Sequence, residues 1–243
     1  MKKTAFVLAS LLLPLSSAYA APEVLMVLTS QSELGDTGKA TGFWLSEAAH
    51  PYQYLTEQGA QVTLASIKGG QTPIDPGSLE NQDDASKAFL ASQRQALLNT
   101  QSLASISTDG YDAIILVGGH GTMWDFRGNS ALSQRVSALW QQGGSVAAVC
   151  HGVAGLVDVQ IDGSPLLDGK KLTGFSNSEE QAIQLTQVVP YSLEDALVAD
   201  GADYSQGADF TPYVVVDGRL ITGQNPMSSE AMAKALWQQI KDK

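Results

Sequence analysis

Short apolar runs alternate with longer segments of mixed polarity along most of the chain. Glu23 to Leu28 (EVLMVL), Gln61 to Ser66 (QVTLAS), Asp112 to Val117 (DAIILV) and Ser145 to Val149 (SVAAV) are short, largely apolar and bounded by turn residues. Such runs predict strands buried on both faces. Between them, Phe43 to Glu57, Ala85 to about Ser105 and Ser130 to Gln142 carry helical periodicity, the first interrupted at Pro51. Strands alternating with helices predict an α/β architecture, a mainly parallel sheet between two helical layers. Tyr213 to Thr222 departs from that rhythm, because Asp217-Gly218 between two β-rich runs predicts a hairpin. Asn225 as N-cap and Pro226 at the first helical position then open a last helix.

The N-terminus follows a different rule. Residues 1–20 (MKKTAFVLASLLLPLSSAYA) combine two lysines, a short apolar run and small residues at Ala18 and Ala20, the pattern of a secretory signal peptide. The expectation is an exported chain, in the periplasm, with residues 21–243 forming a single domain. Loss of Lys2 and Lys3 with the leader moves the net charge from -11 to -13. So acidic a surface repels phosphate backbones and shows no basic stripe, which argues against nucleic acid as a partner. No later apolar run is long enough to cross a bilayer, so no membrane partner is expected after cleavage.

The chain has one cysteine and three histidines, and two of these four residues are neighbours, Cys150 and His151. A lone cysteine cannot form an intramolecular disulfide, which leaves a buried inert thiol, an intermolecular bridge or a reactive thiol. Its setting favours the last. Cys150 ends a predicted strand, and Ala148 and Gly152 supply the small residues that a sharp strand-to-helix elbow requires on either side of a nucleophile. A helix N-terminus after the elbow would lower the thiol's pKa. The amide of His151 would face an oxyanion, and Gly118-Gly119-His120-Gly121, at the end of the neighbouring strand, would supply a second donor, at Gly119.

Other groupings are weaker. GDTGKATG (35–42) has the wrong spacing for a P-loop, and Ala40 stands where a magnesium-holding hydroxyl belongs; Gly38 and Gly42 are candidates for a pocket rim. His50, His120, His151 and Cys150 match no common zinc spacing, so no metal and no other cofactor is expected. Trp124 and Phe126 are candidates for pocket walls.

Five pieces in order, WLSEAAHPY (44–52), VGGHGTMWDF (117–126), AAVCHGVAGL (147–156), LTGFSNSEE (172–180) and ITGQNP (221–226), resemble the DJ-1/PfpI superfamily, and within it the Hsp31-like branch related to class I glutamine amidotransferases. The resemblance covers essentially all of residues 21–243. It implies a flavodoxin-like three-layer sandwich with Cys150 as nucleophile on the elbow, His151 as its partner, Glu180 as the acid orienting that histidine, and Glu47 as a buried glutamate facing the thiol. Gly118, Gly119 and His120 fall in the oxyanion and substrate-binding turn. The implied activity is that of glyoxalase III: conversion of a small dicarbonyl, methylglyoxal, to lactate without glutathione, metal or nucleotide. Deglycation of glycated protein, amide or peptide hydrolysis, holdase action on misfolded protein and redox sensing at the same thiol are the alternatives. A homodimer is what the resemblance suggests.

Overall fold

The computed structural model of the chain describes residues 20–242. The expected signal peptide therefore lies outside the described residues, apart from Ala20. Seven strands form one sheet: β1 (Glu23–Leu28), β2 (Gln61–Ser66), β3 (Gln101–Ser102), β4 (Ala113–Leu116), β5 (Ser145–Val149), β6 (Val214–Asp217) and β7 (Leu220–Gly223). Their order is β6-β7-β5-β4-β1-β2-β3, and only β6 runs antiparallel to its neighbour. β4 and β5 are buried at every position and β1 at every position but its first, which explains their unbroken apolar character. The hairpin forms one residue later than expected: Asp217 ends β6 paired with Leu220 of β7, and Gly218-Arg219 make the turn, with Gly218 at φ +58.

Helices α1 (Leu45–Glu57), α2 (Asp84–Leu98), α3 (Thr122–Asp125), α4 (Ser130–Gln141), α5 (Asn177–Ala182), α6 (Leu193–Ala199) and α7 (Ser229–Ile240) complete the fold. α1 packs between α2 and α7 on one face, and α4 and α6 lie on the other. This is the flavodoxin-like three-layer α/β sandwich. Side chains close the helix starts: Asp83 accepts from the Ser86 amide at 2.8 Å, and Asn129 from that of Leu132 at 3.1 Å. Asn225 and Pro226 occupy the expected capping positions, but the turn they open is a 3-10 turn that leads into α7.

Three elements differ from expectation. α1 runs unbroken through Pro51. A proline inside a helix costs about 3 kcal/mol, and this helix tolerates it because Ala48, Ala49, Pro51 and Leu55 are all buried. α2 stops at Leu98 rather than near Ser105. There Thr100 bonds to the Gly70 carbonyl at 2.6 Å and shares a hydrogen bond with Ser66 at 2.7 Å, so the chain leaves the helix to add β3 to the sheet edge. Finally, the segment after β5 is a 3-10 helix, Cys150–Leu156, rather than an α-helix.

Candidate active site

The site is built where β4 and β5, parallel neighbours, end together. Val149 is still extended (φ -135, ψ 142), whereas Cys150 has φ 57, in the left-handed region. A non-glycine residue there costs on the order of 1–2 kcal/mol, and the reversal turns Cys150 out of the strand. The glycines beside it are required by contact: a Cβ on Gly152 would collide with the Leu116 carbonyl, and one on Gly118 with Glu47 Oε2 and the Val149 carbonyl. Gly118 therefore makes room for the Glu47 carboxyl.

Cys150 Sγ lies 3.3 Å from Nδ1 of His151. The other ring nitrogen, Nε2, donates to Glu180 Oε2 at 2.6 Å, and Nε2 of His120 donates to Glu180 Oε1 at 3.0 Å. The donor direction follows from the carboxylate, which only accepts. A proton fixed on Nε2 of His151 leaves Nδ1 as a lone pair facing the thiol. Burial by itself would raise the Glu180 pKa, but its close interaction with His151 and the hydrogen bonds that both imidazoles donate hold it well below the usual carboxylate range. Burial lowers the pKa of His151, reinforced by neighbouring His120 and opposed by Glu180, so its ring rests neutral. The two imidazole centroids are 4.1 Å apart, and Phe175 covers His151 at 4.3 Å.

Glu47 approaches the thiol from α1. It is fully buried, and its carboxyl oxygens accept no hydrogen bond of ordinary geometry; the Cys150 thiol and the Gly118 amide are the polar groups that face them. Burial pushes its pKa up to about 8. At neutral pH this side chain is mostly a neutral acid.

The thiol departs from the expected lowering. Burial raises the Cys150 pKa well above its ordinary value, a charged Glu47 would raise it further, and the His151 amide opposes both. A 3-10 segment has no long aligned dipole to offset that desolvation. Activation falls instead to the lone pair of His151. The expected oxyanion turn is also altered, since the Gly118 amide faces Glu47 and the His120 side chain belongs to the Glu180 network. Gly119, at φ +106, does line the cavity.

That cavity measures about 120 Å³. Cys150, His151, His120 and Glu47 form its polar floor, and Trp44, Phe175 and Phe210 its walls. Ile183 and Met227 stand exposed at its rim. An open depression of about 500 Å³ around His50, Asp83, Asp84 and Glu230 is acidic and holds no nucleophile. The sequence had offered Trp124 and Phe126 as walls and Gly38 and Gly42 as rim. Instead Phe126 is core, Trp124 covers Gly35, and Gly42 packs on Pro73. Trp44 carried a signal, three residues before Glu47 in WLSEAAHPY, whereas Phe210 and Met227 carried none.

His50 stands outside the cluster, bonded to Asp83 at 2.6 Å. Among the described residues, His120, His151 and Glu180 bring ligating atoms within 4.8 Å of one another. The two histidine-to-carboxylate hydrogen bonds account for that closeness.

The sequence pattern of the DJ-1/PfpI family matches residues 39–239. Glyoxalase 3 of Candida albicans is 30% identical over 226 residues, covering 87% of this chain and 95% of that protein. The glutathione-independent glyoxalase HSP31 of Saccharomyces cerevisiae is 30% identical over 225 residues, covering 87% and 94%. Among solved structures, the Rapid Encystment Protein 24 KDa of Francisella tularensis superposes with a TM-score of 0.88 at 42% identity, covering 90% of this chain and 98% of that one.

Proposed function

The chain belongs to the DJ-1/PfpI family, and on that premise we propose that it is a glutathione-independent glyoxalase of the glyoxalase III type, converting methylglyoxal to lactate. The observation that carries the reading is a single thiol in a 120 Å³ cavity, between a neutral histidine backed by an ionised Glu180 and a buried, protonatable Glu47. The names of the Candida and Saccharomyces relatives support it.

The chemistry follows from the proton positions. As Sγ attacks the aldehyde carbon, Nδ1 of His151 takes the thiol proton, and the imidazolium is stabilised by Glu180. That proton passes to the new alkoxide, which gives a hemithioacetal; the amide of Gly119 meets the oxygen while it carries charge. Ionised Glu47 then removes the hydrogen from the carbon bearing sulfur. The resulting enediolate becomes a thioester as Glu47 returns the proton to the adjacent carbon and the hydroxyl proton of the sulfur-bearing carbon passes to the neighbouring oxygen. A pKa of about 8 makes this carboxylate a stronger base than an ordinary one while keeping it accessible near working pH. Water activated by His151 hydrolyses the thioester, releasing lactate and the thiol. No electron acceptor, metal or second thiol enters the balance.

The test is lactate production from methylglyoxal without glutathione by wild type beside Cys150→Ala. Lactate from wild type alone supports the reading, and equal lactate from both contradicts it. We extend the proposal to an exported, periplasmic enzyme, supported by the leader pattern before Ala21. Fractionation with N-terminal sequencing of the mature chain would test that extension.

A further inference from the structure

Beside Glu180 lies a second carboxylate that the chemistry above does not use. Glu179 has no exposed surface, yet it is satisfied by four donors from three separate segments. Its Oε2 accepts from the amide and the hydroxyl of Ser176, both at 3.1 Å, which closes the start of α5. Its Oε1 accepts from the Phe210 amide at 2.8 Å and from Nδ2 of Asn225 at 2.8 Å. Phe210 walls the cavity, and Asn225 immediately precedes Pro226 and Met227, which also line it. Phe210 sits at φ 53, a left-handed conformation that a phenylalanine does not adopt unaided. One carboxylate thus holds a strained aromatic wall and the turn that carries the rim.

We propose that Glu179 is a positioning residue that fixes the aperture over Cys150, so that the site admits oxoaldehydes with a small apolar substituent and excludes bulky ones. The inference deepens the glyoxalase reading, and its kinetic arm rests on that reading. All four partners donate, so only an acceptor can satisfy them. Glu179→Gln puts an amide N–H in place of one oxygen: turned to the Oε1 side it loses both Phe210 and Asn225, which share that oxygen, and turned to the Oε2 side it loses the Ser176 amide, so either orientation loosens the tie between the start of α5 and the mouth.

The experiment exploits the single cysteine. Cys150 would be alkylated with a small reagent, iodoacetamide, and a bulky one, N-phenylmaleimide, in wild type, Glu179→Gln and Asn225→Ala. The bulky-to-small rate ratio is expected to rise about tenfold in Glu179→Gln and about threefold in Asn225→Ala, which removes one donor and keeps the carboxylate. General loosening of the fold would raise both rates together and leave the ratio in place. In the kinetic arm, Glu179→Gln should raise KM for methylglyoxal with kcat largely held, and shift kcat/KM toward phenylglyoxal. If neither oxoaldehyde is turned over by wild type, the glyoxalase reading fails while the labelling ratio still decides the role of Glu179. An unchanged ratio in folded Glu179→Gln overturns the proposal. Should that variant fail to fold, an unchanged ratio in Asn225→Ala does so.

Discussion

Two carboxyl groups flank the same thiol, and they are held in opposite states. On the elbow side, Glu180 accepts hydrogen bonds from two imidazoles and is kept ionised far below the ordinary range. On the α1 side, Glu47 is buried without an ordinary hydrogen bond and is pushed up to about 8. The difference is environmental. Partners that donate stabilise the charge, and apolar burial without them expels it. One side can therefore orient a base permanently, and the other can carry a proton that comes and goes.

The comparison can be broken at its centre first. Cys150→Ala removes the atom that both sides serve, and lactate formation should fall by at least about four orders of magnitude. Glu47→Gln keeps the shape and a donor to sulfur but removes the base, so turnover should fall about a thousandfold. The wild-type rate should rise with pH toward about 8, as the base form of Glu47 is populated, and the residual rate of the variant should lack that rise. Glu180→Gln leaves His151 without a fixed tautomer, and a loss of about a hundredfold is expected, shrinking at alkaline pH as the thiol ionises without help.

The remaining effects concern stability, where the signs are opposed. Because the folded pKa of Glu47 is raised from 4.5 to about 8, the folded state binds more protons than the unfolded one between those values. Stability from this group is complete below pH 4.5 and is lost as pH rises through about 8. Glu47→Gln should therefore be more stable than wild type at pH 9 by on the order of 3–5 kcal/mol, with the gap closing near pH 5, as read by urea unfolding. Glu180, whose pKa is depressed, contributes stability above its ordinary pKa that is lost only in acid. Glu180→Gln should accordingly lose stability at neutral pH and converge with wild type on acidification.

How much of this could be read in the sequence depends on how local each cause is. The central strands were legible because burial on both faces leaves an unbroken apolar run, and the hairpin because Gly218 marks a turn between two β-rich runs, although that turn is Gly218-Arg219 rather than Asp217-Gly218. The elbow was legible from Ala148, Cys150 and Gly152, since the crowding is set within a few residues. The overrun of α2 was not, because its end is fixed by Thr100 meeting Gly70 and Ser66, about 30 residues away. Glu47 was singled out by the family resemblance, and a carboxyl group in a mostly apolar helix is expected to have a raised pKa, as it has; the burial that causes it comes from packing of α1 between α2 and α7. The expected thiolate was misread for a related reason, since spacing reveals a helix start but not the desolvation that outweighs it. Phe210 and Met227 reach the mouth through Glu179, a connection that no local pattern carries.

The division of labour between the two carboxyls is tested most directly by carbon-13 NMR of labelled methylglyoxal mixed, without glutathione, with wild type, Glu47→Gln and Cys150→Ala. Wild type should deliver lactate, Glu47→Gln should accumulate the hemithioacetal carbon and stop there, and Cys150→Ala should show neither signal. Lactate from Glu47→Gln at the wild-type rate would contradict the account, because the proton would then move between the carbons without the one side chain held in the right state to carry it.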